Sequence, residues 1–217
     1  MPNTAKRRAD TRRTEDGLRR LVAFSDAVVA FAMTLLVLPL SDAASTLKAD
    51  KTFLQTMDDH SAELLGFIIS FAVIWLLWRN HHSIMENFRS YNPLMFNLHF
   101  VWLLSIVLVP LATALISNER LQWADTAYIL VLALAIGSLV AIARAGLRHP
   151  ELVVDDDVVR HNLAGWAGFG TLIALGVALV LTLLWPSLGS LPLLVLLIPG
   201  PIAGLVSRVR ARSAVGE

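Results

Sequence analysis

Asp26, His81, His82, Asn97 and His99 carry hydrogen-bonding or ionisable heads inside or at the edges of long apolar stretches. A carboxylate at the centre of a hydrocarbon layer costs about 3 kcal/mol on insertion scales, so Asp26 needs a partner or a path to water. Two chemistries fit such a set. Interhelical hydrogen bonds could fix the register between helices, or the carboxylate and the imidazoles could pass protons. Covalent catalysis finds no support: there are no cysteines, and no Ser, His and Asp stand at a spacing that pairs a nucleophile with a base. His81 and His82 with Glu86 offer nitrogen and oxygen donors, but adjacent side chains diverge on a helix and no zinc spacing is present. Trp75, Trp78 and His82 share one helical face at i, i+3 and i+7, which suits packing against another helix.

The elements that must hold these groups are membrane helices. The 217-residue chain is 56% hydrophobic and 16% charged, against roughly a quarter charged in an ordinary globular protein. Spanning the hydrocarbon takes about 20 apolar residues in a helix. Six such runs are expected, at Leu21 to Leu40, Ala62 to Trp78, Leu94 to Ile116, Trp123 to Ala143, Leu163 to Trp185 and Leu191 to Val206. Pro199, Gly200 and Pro201 should kink or break the sixth. The basic start is followed by an apolar run too long for a signal-peptide core, so it should persist as a helix. The predicted plan is all-α: a basic leader over 1–19, one six-helix membrane domain over 20–207, and a tail over 208–217.

Lys and Arg set the orientation, because loops carrying them resist translocation. With both termini in the cytoplasm, the opposite side receives only Lys48, Lys51 and Arg120 of the 18 basic residues. That bias requires an even number of crossings. Trp78 and Trp166 then fall near the inner interface, and Trp123 and Trp185 near the outer one. Asp26, His81, His82, Asn97 and His99 reach similar depth near the cytoplasmic face, where they could meet. The acidic run Asp155, Asp156 and Asp157 belongs to a cytoplasmic loop.

The first span has two sides. At 100° per residue, Leu35 and Leu38 fall within about 40° of Phe31 and Thr34 about 60° from it, whereas Ser25 and Asp26 point over 100° away. Spacing alone does not separate a lipid-facing stripe from one that faces other protein. Arg20, Phe24, Ser25 and Asp26, however, read R-x-x-x-F-S-D at the start of this span, behind a basic leader and ahead of the Ala32 to Pro39 sequence. The pattern resembles the signature of the transmembrane protein 175 family, whose animal members are lysosomal potassium channels that also leak protons. Those carry two six-helix repeats; a single-repeat chain resembles the prokaryotic branch, in which four subunits surround a pore.

The resemblance implies that the first helix lines the pore. Bulky apolar side chains five, nine and twelve residues beyond the motif Asp would form its constriction, here Phe31, Leu35 and Leu38, with Thr34 at the hydroxyl position associated with ion preference. Family members usually have Ile or Leu where this chain has Phe31, which puts the tightness of the constriction in question. The implied protein is a homotetrameric, potassium-preferring channel of the cell membrane, not an enzyme, contacting lipid and monovalent cations and needing neither cofactor, metal nor nucleic acid. The backbone-carbonyl filter sequence TVGYG is absent. The alternatives are a proton-leak channel and an ion-coupled secondary transporter, the latter suggested by the broken sixth span.

Overall fold

The computed structural model describes residues 3–45, 52, 55–56, 59–116, 123–154 and 163. Its elements are α1 (Asn3–Leu35), α2 (Leu38–Ser45), α3 (Ser61–Met85), α4 (Pro93–Ile116) and α5 (Ala124–Arg148), followed by a 3₁₀ turn at Pro150–Leu152. Four stretches are long and apolar enough to cross a membrane: Glu15–Ser41, Glu63–Met85, Pro93–Ile116 and Ala124–Arg148. These are the first four expected spans. The second and fourth run beyond their expected ends, through polar residues such as His81 and Arg144. The fifth and sixth spans, the Pro199 to Pro201 break, Trp166, Trp185, the acidic run at 155–157 and the basic residues Lys48, Lys51 and Arg120 lie outside the described residues.

The first span departs from expectation in a second way: it is two helices. Residue 39 is proline, which has no N–H to donate to the Leu35 carbonyl one turn back and whose ring crowds that carbonyl. Continuing a helix through such a position costs about 3 kcal/mol. The chain avoids this cost by ending α1 at Leu35. The Val37 N–H turns back to the Thr34 carbonyl at 3.2 Å, and helical bonding resumes with Ser41 N–H to Val37 carbonyl at 2.9 Å. At the other end, α1 runs back without interruption to Asn3, so the backbone of the basic leader is part of the same helix.

Side-chain spacing decides what each helix buries. Leu18, Ser25, Val29, Ala32 and Leu36 are all buried, and their steps of seven, four, three and four residues draw one seam along α1. That seam packs on α3 and α4. On α3, Ile69, Val73, Ile74, Leu77, His81 and Ile84 turn inward, while Leu65, Ile68, Phe71 and Trp75 stay exposed. The most extensive pairing joins α4 to α5. Small residues on α5, among them Ala135, Ala143, Ala145 and Gly146, are buried, and small residues let helix backbones approach closely where lipid removes the hydrophobic drive.

The loop from α3 to α4 is clamped against the segment after α5. Phe88 and Val153 form an isolated antiparallel bridge, with Arg89 N–H to Leu152 carbonyl at 2.9 Å and Val154 N–H to Asn87 carbonyl at 3.0 Å. The Asn87 side-chain amide donates to the Ser83 and Ile84 carbonyls at the end of α3, and the Asn87 backbone N–H also donates to Ile84. Asn92 accepts from Met95 N–H at 2.9 Å and so caps α4, and Pro93 follows at the first helical position, where its missing N–H costs nothing. A Cβ on Gly146 would lie 2.6 Å from Cζ of Phe88, so glycine there is what admits the ring.

Candidate functional site

The polar residues that the sequence singled out form two groups rather than one network. In the first, the Trp78 indole N–H donates to Oδ1 of Asp26 at 2.8 Å, so α3 provides the partner that the carboxylate required. Trp78 is flanked on its own helix by Trp75, with ring centroids 4.9 Å apart, and by His82, stacked at 5.6 Å. His82 in turn meets Glu86 at 3.3 Å. Of the face shared by Trp75, Trp78 and His82, Trp78 meets α1 through Asp26, while Trp75 and His82 are exposed. Ser25, next to Asp26 in the motif, is buried and donates within its own helix to the Leu21 carbonyl at 2.8 Å.

In the second group, Nε2 of His81 and Nε2 of His99 are 2.6 Å apart. One ring must donate and the other accept, so a single proton lies between the two nitrogens. Trp102 stacks on His81 with centroids 4.0 Å apart and planes 9° from parallel. Both histidines are fully buried, and neither Nδ1, nor the Trp102 indole nitrogen, has a hydrogen-bond partner among the described residues. This group joins α3 to α4, away from the Asp26 carboxylate. Asn97, expected to join these residues, lies exposed on α4 and takes part in neither group. Among the described residues no cluster of three His, Cys, Asp or Glu is placed to hold a metal ion.

A third polar group gave no signal in the sequence. Oγ1 of Thr113 on α4 lies 2.8 Å from Oγ of Ser70 on α3, and Ser70 lies 3.1 Å from the Tyr128 hydroxyl of α5. All three are buried. Single hydroxyls in apolar runs are common and each can satisfy itself on a carbonyl of its own helix, as Thr113 also does on Val109.

The apolar stripe on α1 lies opposite the buried seam. Phe31 is 63% exposed and Leu38 54%, while Leu35 is half-buried at the edge of the same face. Arg20, Phe24 and Thr34 are exposed there too. Leu36, directly after Leu35, is 1% exposed. The Thr34 hydroxyl donates to the Phe31 carbonyl at 2.7 Å, so its oxygen lone pairs are left to the uncovered side.

Comparison with known proteins places this geometry. Residues 20–110 match the model of the family described as endosomal/lysosomal potassium channel TMEM175. A potassium channel of Chamaesiphon minutus is 32% identical over 99 residues, 46% of this chain and 49% of that protein. One from a Chryseobacterium species is 33% identical over 103 residues, 46% of this chain and 50% of that protein. One from Streptomyces collinus is 30% identical over 128 residues, 58% of each. The chain spans about half the length of these relatives. The crystal structure of a lysosomal potassium-selective channel TMEM175 homolog from Chamaesiphon minutus superposes with a TM-score of 0.65 at 23% identity, covering 83% of this chain and 95% of that one. At that identity the likeness is one of fold. The matched stretch holds the R-x-x-x-F-S-D motif, the Trp78 partner of its Asp and the paired histidines. Residues 20–110 therefore match the TMEM175 family, and the chain that carries them is a multi-pass membrane protein.

Proposed function

We propose that the chain is one subunit of a potassium-preferring cation channel in the cell membrane, with both termini cytoplasmic and residues 20–207 forming its membrane domain. First membrane helices from four copies would converge on a shared axis and close it with Phe31, Leu35 and Leu38. The observation that carries this reading is the two-sidedness of α1. One side is filled by its own protomer through Leu18, Ser25, Val29, Ala32 and Leu36, and the other is left bare with bulky apolar side chains and one hydroxyl.

Such a ring offers a cation no substitute for its hydration shell, and a narrow apolar stretch dewets and blocks. Shut is then the resting condition. Conduction requires the first helices to shift outward or rotate until a partly hydrated ion fits. Potassium holds its water less tightly than sodium, so a partly dehydrating passage favours it modestly. Thr34 adds to that preference, because its proton is engaged by the Phe31 carbonyl and its lone pairs remain to meet a passing cation.

The test is planar-bilayer recording of the purified full chain under potassium, sodium and proton gradients. Reversal potentials should follow potassium before sodium, with little dependence on the proton gradient. Leu35→Ala should widen the ring and raise the current several-fold. A current unchanged in size and cation preference by that substitution would count against the constriction, and a reversal potential set by pH would favour a proton leak.

A further inference from the structure

Leu38 does not stand on the same helix as Phe31, Thr34 and Leu35. α1 ends at Leu35 and α2 begins at Leu38. The joint between them is held by the Val37 N–H on the Thr34 carbonyl, a three-residue closure where an α-helix would use four. Leu36, buried within the joint, anchors it to the core, and Val37 is exposed. Beyond the joint α2 packs on α3, whereas α1 packs on both α3 and α4. The residue that enforces the interruption is Pro39, since no other residue type lacks the N–H that the Leu35 carbonyl would accept.

We propose that Pro39 is a positioning residue for the permeation path: by ending α1 at Leu35 it seats Leu38 on a separate rigid body. This inference rests on the reading of the α1 stripe as a constriction and adds a division of labour to it. Sharp helix bends arise at identifiable sequence features and concentrate motion there. A tilt or rotation of α1 carries Phe31, Thr34 and Leu35 with it, while Leu38 stays with α2 against α3. The constriction thus has a moving layer and a stationary one, and its resting width at Leu38 is set independently of α1. An uninterrupted helix would couple all the side chains and turn Leu38 whenever Phe31 turned.

The chain contains no cysteine, so single cysteines can report on each layer. Leu35→Cys and Leu38→Cys are prepared in the full chain, each with and without Pro39→Ala, and reconstituted in bilayers. A cationic methanethiosulfonate is applied while the potassium current is recorded. Both single-cysteine channels should be blocked. Adding Pro39→Ala should change the rate of block at Leu38→Cys by tenfold or more and leave that at Leu35→Cys within twofold. Thermal stability should not fall, because alanine completes the helix; a purely structural role for Pro39 would instead lower stability and current together. If neither cysteine channel is blocked, the constriction reading itself fails. If block occurs at only one of the two, or if Pro39→Ala leaves both rates unchanged or moves them together, the inference about Pro39 is overturned. Should the double variants not assemble, hydrogen exchange on the unaltered chain decides: amides 36–38 should exchange at least tenfold faster than those of 29–33 and 41–44, and equal protection overturns the joint.

Discussion

The polar tie that holds α1 to the bundle and the one that holds α3, α4 and α5 together are built on different principles. Asp26 and Trp78 make a single hydrogen bond between a carboxylate and an indole N–H. About 12 Å along α3 towards its start, Ser70, Thr113 and Tyr128 share neutral hydroxyls among three helices. The first bond is strong but leaves a charge stranded when it is lost. The second group is weak bond by bond, and its Ser and Thr members can turn to their own backbone, as Thr113 does on Val109. Beyond its packed seam, the helix with a bare outer face is thus tied, among the described residues, by one costly polar bond, and the helices behind it by several inexpensive ones. The first tie is a discrete latch, while the second tolerates redundancy.

Breaking the latch should give the largest effect. Trp78→Phe keeps most of the packing with Trp75 and His82 but removes the donor to Asp26, and a hydrogen bond to a charged group contributes about 1.5–3 kcal/mol. A fall in thermal midpoint of the detergent-solubilised protein is expected, partly recovered in Trp78→Phe/Asp26→Asn because the stranded group is then neutral. Equal midpoints for the single and the double variant would mean that the carboxylate reaches water and that the latch is not costly to open.

Close packing sets the next effect. In Gly146→Ala the new methyl group meets the Phe88 ring at 2.6 Å, and such overpacking costs about 1–3 kcal/mol. Phe88→Leu in the same chain should restore much of it. Failure of that rescue would locate the strain elsewhere than in the contact between α5 and the loop that precedes α4. Asp26→Asn alone sharpens the comparison further: the amide oxygen still accepts from Trp78, so the loss should be about 1 kcal/mol. It should appear in the stability of the assembled protein rather than in conductance, and the opposite ranking would give Asp26 a direct part in permeation.

The sequence made the latch visible and hid the scaffold for one physical reason. A charge in an apolar run is conspicuous because hydrocarbon penalises it, so Asp26 announced that it needed a partner. The face shared by Trp75, Trp78 and His82 announced where one could be. Ser70, Thr113 and Tyr128 carry no such penalty, and nothing in their spacing distinguishes a hydroxyl that bonds across helices from one that bonds to its own turn. His81 and His99 were legible as a pair of depths but not as a pair of contacts. Helical spacing allowed Asn97 to join them, and only the rotation of α4 shows that it points away. The interruption before Pro39 was present in the sequence as a proline near the end of a span. Membrane helices often absorb proline with a kink, so its position alone did not reveal a full stop at Leu35. Conversely, 100° per residue separated Ser25 from Phe31, while the other members of the buried seam, Leu18, Val29, Ala32 and Leu36, were not named by it.

The smallest expected effect tests the redundancy itself. Tyr128→Phe removes one of the two hydroxyls that meet Ser70 while leaving a buried ring of nearly the same volume, and Ser70 keeps its bond with Thr113 at 2.8 Å. Hydrogen bonds between membrane helices average about 0.6 kcal/mol in double-mutant cycles, so the midpoint should move by no more than a degree or two. Thr113→Val in addition should cost more than the two single changes summed, because Ser70 then loses both cross-helix partners and falls back on its own helix. Strict additivity in that cycle would mean that the two bonds act independently, and the contrast between a single latch and a shared network would rest on α1 alone.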